Sequence, residues 1–212
     1  MRCVLTRFAV VAILAAAAPA AHAASLSVGL LSGTTLGDAR LADYQWDTRA
    51  KAGLGAEARA AVEQGSVALR LWRSSTTQQL DATLASASPD VHRDRAELVG
   101  RVTLVRALGA RWSLQAGAGL LHLGYAPDHV DVATGTGTST TVRLAPIDTG
   151  SASFGLAVEH PLAAGWAASG EATREWFALD AAHRSGADIV RASETFADWT
   201  IRLGLSYRIL GR

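Results

Sequence analysis

Residues 199–209 alternate without a break. Trp199, Ile201, Leu203, Leu205, Tyr207 and Ile209 fall on one parity; Thr200, Arg202, Gly204, Ser206 and Arg208 fall on the other. A period of two marks a β-strand with one apolar and one polar face. At ~3.3 Å per residue, Trp199 and Tyr207 stand roughly 26 Å apart along it. Tilted by about 40°, such a strand spans most of a ~25 Å apolar layer, with an aromatic ring at each boundary.

The same alternation recurs upstream. Residues 25–31 set Leu26, Val28 and Leu30 against Ser25, Ser27 and Gly29, and residues 47–62 set Leu54, Ala56 and Ala58 against Lys51, Glu57 and Arg59. Tyr44 and Trp46 continue the apolar parity of this second segment upward. Val67, Leu69 and Leu71 then oppose Ala68, Arg70 and Trp72; in residues 95–108, Leu98, Val102 and Leu104 oppose Glu97, Val99 and Arg101. Trp112, Leu114 and Leu120 oppose Ser113, Gln115, Gly117 and Gly119; Phe154, Leu156 and Val158 oppose Ser153, Gly155 and Glu159. Residues 166–176 begin and end on outward-parity tryptophans, with Ser169, Glu171, Thr173 and Glu175 inward.

The connections between these eight segments alternate in length: long around 32–46, 80–94, 126–148 and 180–195, short at 63–65, 109–110 and 160–165. Short turns at one end and long loops at the other predict an all-β, eight-stranded, antiparallel up-and-down transmembrane β-barrel, its N-terminus periplasmic. A soluble sandwich has no reason to sort its loops by end. Aromatic residues sort as well. Trp112, Trp166 and Tyr207 fall at the short-turn end and Trp46, Trp176 and Trp199 at the long-loop end, all on the outward parity.

Residues 1–23 read as a signal peptide: Arg2 and Arg7, an apolar run over 8–18, and Ala21-His22-Ala23 before Ala24. Cys3, the only cysteine, leaves with that segment, so a mature chain of residues 24–212 is expected to be a barrel domain without disulfides. A net charge of +1 argues against a nucleic-acid partner. No later stretch is apolar for the ~18 residues a membrane helix requires.

Arg202-x-Gly204-x-x-Tyr207-x-Ile209 resembles the polar-x-Gly-x-x-Φ-x-Φ assembly signal of outer-membrane barrels. With it, the chain resembles the small eight-stranded group that contains the outer-membrane protein A transmembrane domain and OmpX. Leu210-Gly211-Arg212 departs from it, since many relatives end on the terminal aromatic. The resemblance implies a bacterial outer-membrane location among lipid and lipopolysaccharide, with the barrel-insertion machinery and periplasmic chaperones as partners and a monomer as the simplest state.

The inward parity brings Glu57, Arg59, Arg70, Glu97, Arg101, Glu171, Glu175 and Arg202 to the lumen, with Lys51, Glu159 and Arg208 on the same parity. An eight-stranded barrel is only wide enough for its own side chains, so mixed charges and glycines predict a packed, ion-paired interior. Arg73 and Arg174 have outward parity near the long-loop interface, where an arginine can reach lipopolysaccharide phosphates. His183 and Ser185, with Glu194, resemble the His-x-Ser pair of lipid A deacylases, but Gly186 stands where those enzymes carry Asn, and a lipid-directed site would need outward parity. His129, with Asp128 and Asp131, lacks a spacing that fixes metal geometry, and residues 135–141 form a Gly/Thr/Ser stretch without the lysine of a phosphate loop; both read as solvated loop. The expectation is a non-catalytic barrel, without cofactor or metal, serving a structural, envelope-integrity or surface-interaction role. A lipid A-modifying hydrolase and a narrow, porin-like small-solute pore are the alternatives.

Overall fold

The computed structural model describes residues 25–62, 64–80, 88–133, 139–185 and 188–211; the export signal read over 1–23 lies outside them. Among the described residues ten strands follow in order: β1 (Ser25–Leu36), β2 (Lys51–Val62), β3 (Gly65–Thr77), β4 (Asp90–Ala107), β5 (Ala110–Ala126), β6 (His129–Ala133), β7 (Ser139–Arg143), β8 (Ile147–Pro161), β9 (Trp166–Ser185) and β10 (Asp188–Gly211). Eight of them close into one antiparallel barrel of order β1-β10-β9-β8-β5-β4-β3-β2. Pairing of the first strand with the last, from Ser25↔Gly211 to Leu36↔Trp199, removes the open edges that would otherwise expose unpaired backbone.

The polarity is inside out. Leu30 is 73% exposed, and Leu54, Leu71, Val102, Phe154, Ile201 and Leu203 are exposed on the same outer face. Arg70 and Arg202 are 1% and 0% exposed, and Glu97, Glu171 and Glu175 are likewise buried. Only a solvent as apolar as lipid makes this distribution favourable. Trp112, Trp166 and Tyr207 stand outward at the short-turn end, and Trp176 and Trp199 at the other.

Trp46 corrects the expected girdle. It is 8% exposed and packs with Leu41, Val91, Leu121, Leu123, Phe177, Leu179 and Phe196, while Tyr44 sits edge-on to Phe196 at 5.8 Å. Residues 47–50 leave the ladder, so the parity of β2, which starts at Lys51, does not carry back to Trp46. The β1–β2 connection instead makes a 3-10 turn, Ala39–Tyr44, and folds over the barrel mouth.

Two expected loops are strands. The 180–195 connection is an extension of β9 and β10, paired from Asp188↔Ser185 onward without a register shift. Within 126–148, β6 and β7 form a hairpin of their own, from His129↔Arg143 to Ala133↔Ser139. Beyond the membrane both faces of a hairpin meet water, so the apolar alternation stops although the ladder continues.

Candidate functional site

The lumen holds the chemistry of this chain, because adjacent strands bring inward residues into register. Arg70 of β3 lies opposite Glu57 of β2 and Glu97 of β4; Arg202 of β10 lies opposite Glu171 of β9. Arg70 donates to Glu57 at 2.8 Å and to Glu171 at 2.8 Å, with Glu97 at 3.5 Å. Arg101 donates to Glu57 at 2.8 Å and to Glu171 at 2.5 Å, and to the Gln115 amide oxygen at 3.1 Å. Gln115 Nε2 in turn donates to Glu171 at 3.2 Å. Glu97 also accepts from the Ser153 hydroxyl.

Above this layer, Arg202 and Arg95 both pair with Glu175, which accepts from Thr200 at 2.9 Å as well. The Arg202 guanidinium lies 4.9 Å from the Trp72 ring centre. Trp72 occupies the space that side chains at Gly53 and Gly55 would fill, so those glycines make room for the stack. Below, Arg59 pairs with Glu159 and approaches Glu57 at 3.9 Å. Removing so many ions from water is costly, and the arrangement tolerates it because each charge faces an opposite one.

Arg93, Arg95 and Asp198 belong to the same system but fall outside the candidate set read from sequence. Arg93 pairs with Asp198, and its guanidinium lies 5.3 Å from the Phe177 ring centre. Their signal was present: Arg93 and Arg95 share the parity of Glu97, and Asp198 that of Thr200 and Arg202. Arg93 and Asp198 were lost because β4 begins at Asp90 and β10 at Asp188, upstream of residues 95 and 199, where the apolar alternation starts.

The mouth at the long-hairpin end is closed by the 3-10 turn. Asp198 accepts from the Asp38 backbone N–H at 2.8 Å, and the Asp38 carboxylate accepts from Ala197 N–H at 2.8 Å and from Arg40 Nη2 at 2.7 Å. The Arg40 hydrogen bonds, opposed by burial, hold the Asp38 carboxyl down to about 2. Tyr44 donates to Glu194 at 2.7 Å, which raises its phenol pKa. Asp47 binds Arg49 and Lys51, at 2.7 Å and 2.5 Å; this lowers its carboxyl pKa and places Lys51 at the rim of the mouth.

The remaining candidates are dispersed. Arg73 faces outward but carries a bidentate pair with Asp94, at 2.5 and 2.6 Å. Arg174 lies 5.3 Å from the Trp199 ring centre at the outer girdle. In the terminal signal, Tyr207 and Ile209 are on the outer surface, Arg202 is buried, and Gly204 is crowded by Ser169 and Leu31. The side chains of His183 and Ser185 lie outside the described part of the structure, although their backbone belongs to β9. Glu194 is opposite Leu179, four residues or ~13 Å along the ladder from His183, and already engaged by Tyr44. Asp128 contacts His129 at 3.0 Å and Arg143 at 3.8 Å, whereas Asp131 accepts from Thr141 at 2.5 Å.

No protein-family model matches the chain, and no curated protein matches its sequence. Solved structures do match. Neisserial surface protein A, from Neisseria, aligns with a TM-score of 0.53 at 8% identity, covering 86% of this chain and 96% of that one. The chain has the fold of a small eight-stranded outer-membrane β-barrel. A major outer membrane protein from Thermus thermophilus scores 0.46 at 13% identity, covering 87% and 100%. The attachment invasion locus protein Ail of Yersinia pestis, in complex with a heparin analogue, scores 0.43 at 13% identity, covering 87% and 97%. Identities this low speak for fold alone.

Within that fold, the lumen of this chain is closed twice over: by the ion-paired layers and by the apolar layer beneath the 3-10 turn. The described side chains leave a void of about 20 Å³ beside Arg59 and Arg101 and one of about 10 Å³ beside Trp46 and Arg93. The first of these has room for about one water molecule.

Proposed function

We propose that this chain is a non-catalytic bacterial outer-membrane barrel with a structural, envelope-integrity or surface-interaction role, and that its lumen does not carry a steady ion current. The observation that supports this most is the network joining Glu57, Arg70, Arg101, Glu171, Glu175 and Arg202 across the full width of the barrel. An ion entering it would have to break paired, buried charges. In this reading the short turns and the N-terminus are periplasmic, and the β9–β10 and β6–β7 hairpins project from the cell. Lipid covers the apolar belt. Arg174, stacked on the outer-girdle Trp199, contacts lipopolysaccharide phosphate; Arg73 joins it while keeping Asp94. Insertion proceeds through the signal at Arg202, Gly204, Tyr207 and Ile209, after delivery by periplasmic chaperones.

The test has two parts. The protein is expected in outer-membrane fractions after loss of residues 1–23, with heat-modifiable migration on gels; recovery in the soluble periplasm would overturn the location. In planar bilayers, purified protein is expected to show no stable conductance. A large, steady, ohmic channel would overturn the closed lumen and place the protein with the porins.

A further inference from the structure

The apolar belt does not end at the lower aromatic ring. Trp199 and Tyr207 lie eight residues apart on β10, ~26 Å along the strand; tilted by about 40°, that is ~20 Å of height. An outer-membrane barrel presents about 25 Å of apolar height, so the two rings fall short by ~5 Å. The long-hairpin end does not supply the difference, because the outward face turns polar there. Arg174 stacks on Trp199, Arg73 pairs with Asp94, and His122 contacts Asp148 at 2.7 Å.

The short-turn end can supply it. Val62, Leu108, Leu162, Ile209 and Leu210 lie past Trp112, Trp166 and Tyr207, at the three short turns and the end of β10, and all are exposed. Leu210, three residues beyond Tyr207, extends the belt by ~8 Å of height. Between Thr103 and Val105 the register of β4 shifts, which turns Val105 outward beside its partner Trp112 and Arg106 toward the barrel mouth. The bulge thus keeps the lower belt apolar. Turn chemistry agrees. Ala107 pairs with Ala110, so Leu108 and Gly109 form a two-residue turn, with φ of 54° and 74°. Such turns favour Asn-Gly, and a leucine in the left-handed region is strained. Leu108 is also 97% exposed. Ala164, with φ of 58°, repeats the choice of an apolar residue at the β8–β9 turn. In water Leu108 would be unfavourable twice, through its backbone and through its side chain. In lipid the second cost changes sign.

We propose that the short-turn tips are seated in the phospholipid of the periplasmic leaflet, with Leu108 and Leu162 at the boundary between headgroups and acyl chains. The inference rests on the reading of this chain as an outer-membrane barrel and adds where along the barrel axis the membrane lies. Seated this way, the belt reaches the ~25 Å that lipid requires, and the ring of Trp112, Trp166 and Tyr207 sits just inside the boundary. The occupant of the apolar tips is therefore lipid, continuous with the lipid that covers Leu203 and Phe154.

The test uses residues 24–212, which contain no cysteine, refolded into phosphatidylcholine vesicles. Leu108→Cys, Leu162→Cys, the mid-belt Leu203→Cys and Arg143→Cys on the β6–β7 hairpin each carry one fluorescent label. Labels at 108 and 162 are expected to be quenched by doxyl-labelled acyl chains, as at 203, and to lose most of the iodide quenching seen at 143. Leu108→Asn adds a readout whose sign separates the alternatives. Asparagine relieves the left-handed strain, so for a tip in water the urea midpoint rises. For a tip in lipid the lost apolar contact outweighs that relief, and the midpoint falls. Lipid quenching at both tips with a lowered midpoint supports the proposal. Full iodide quenching at either tip, or a midpoint that rises or stays, overturns it and leaves the tips free for a periplasmic protein. The label at 203 separates the two levels of failure. If it too stands in water, the barrel reading falls as well; if it stands in lipid, only the seating of the turns does.

Discussion

Glu171 is the place where the lumen is most exposed to a single change. Its carboxylate accepts from Arg70 at 2.8 Å, from Arg101 at 2.5 Å and from Gln115 at 3.2 Å, with Arg202 at 3.8 Å. Across the barrel Arg59, Arg70, Arg93, Arg95, Arg101 and Arg202 match Glu57, Glu97, Glu159, Glu171, Glu175 and Asp198 one for one. Glu171→Ala therefore leaves one buried guanidinium charge without an opposite. An unpaired charge in a dry interior costs about 3–5 kcal/mol. Arg70 and Arg101 each keep Glu57 at 2.8 Å, which puts the expected loss at the lower end, about 3 kcal/mol. Urea unfolding in phosphatidylcholine vesicles, followed by tryptophan emission, reads that loss. The same variant in planar bilayers is expected to show intermittent, anion-preferring conductance, because its lumen is now positive. Arg202→Ala makes the lumen negative and is expected to give the opposite preference. If Glu171→Ala unfolds within about 1 kcal/mol of wild type and stays electrically silent, the network does not hold the lumen shut.

Three further outcomes follow from particular contacts. A side chain at Gly204 would run into Ser169 and Leu31, so Gly204→Arg is expected to block membrane insertion, as is Tyr207→Asp, which puts a charge on the lipid face; normal levels of both in outer-membrane fractions would exclude the terminal strand as an assembly signal. Because the Asp38 pKa falls from 3.8 to about 2, its contribution to docking the 3-10 turn is complete above the unfolded value and lost as pH falls through the folded one. The emission difference between wild type and Trp46→Phe should thus stay constant from about pH 7 to pH 4 and change only below; a change beginning near pH 6 would point to another group. Ser185→Ala is expected to leave lipid A acylation unchanged by mass spectrometry, since Glu194 is turned to Tyr44; a wild-type modification abolished by Ser185→Ala would establish a hydrolase.

The barrel itself was legible in the linear sequence because lipid imposes a strict period of two wherever a strand crosses it. Leu203 and Arg202 declare their faces by chemistry alone, and so do Phe154 and Ser153. Outside that layer the constraint lapses. The sequence does not reveal that residues 180–195 continue as paired strand, because hydrogen bonding along β9 and β10 makes no demand on side-chain polarity there. Nor could parity locate Trp46, whose chain leaves the ladder at 47–50 and folds inward against Phe196 and Leu123. Tertiary structure alone also decided which charges meet. Arg70 and Glu171 are far apart in sequence and on strands that are not neighbours, and they touch only because closing the barrel brings its walls together. At the short-turn mouth a single bulge reversed the face of Arg106. Alternation counts residues, and a bulge inserts one that the count cannot see.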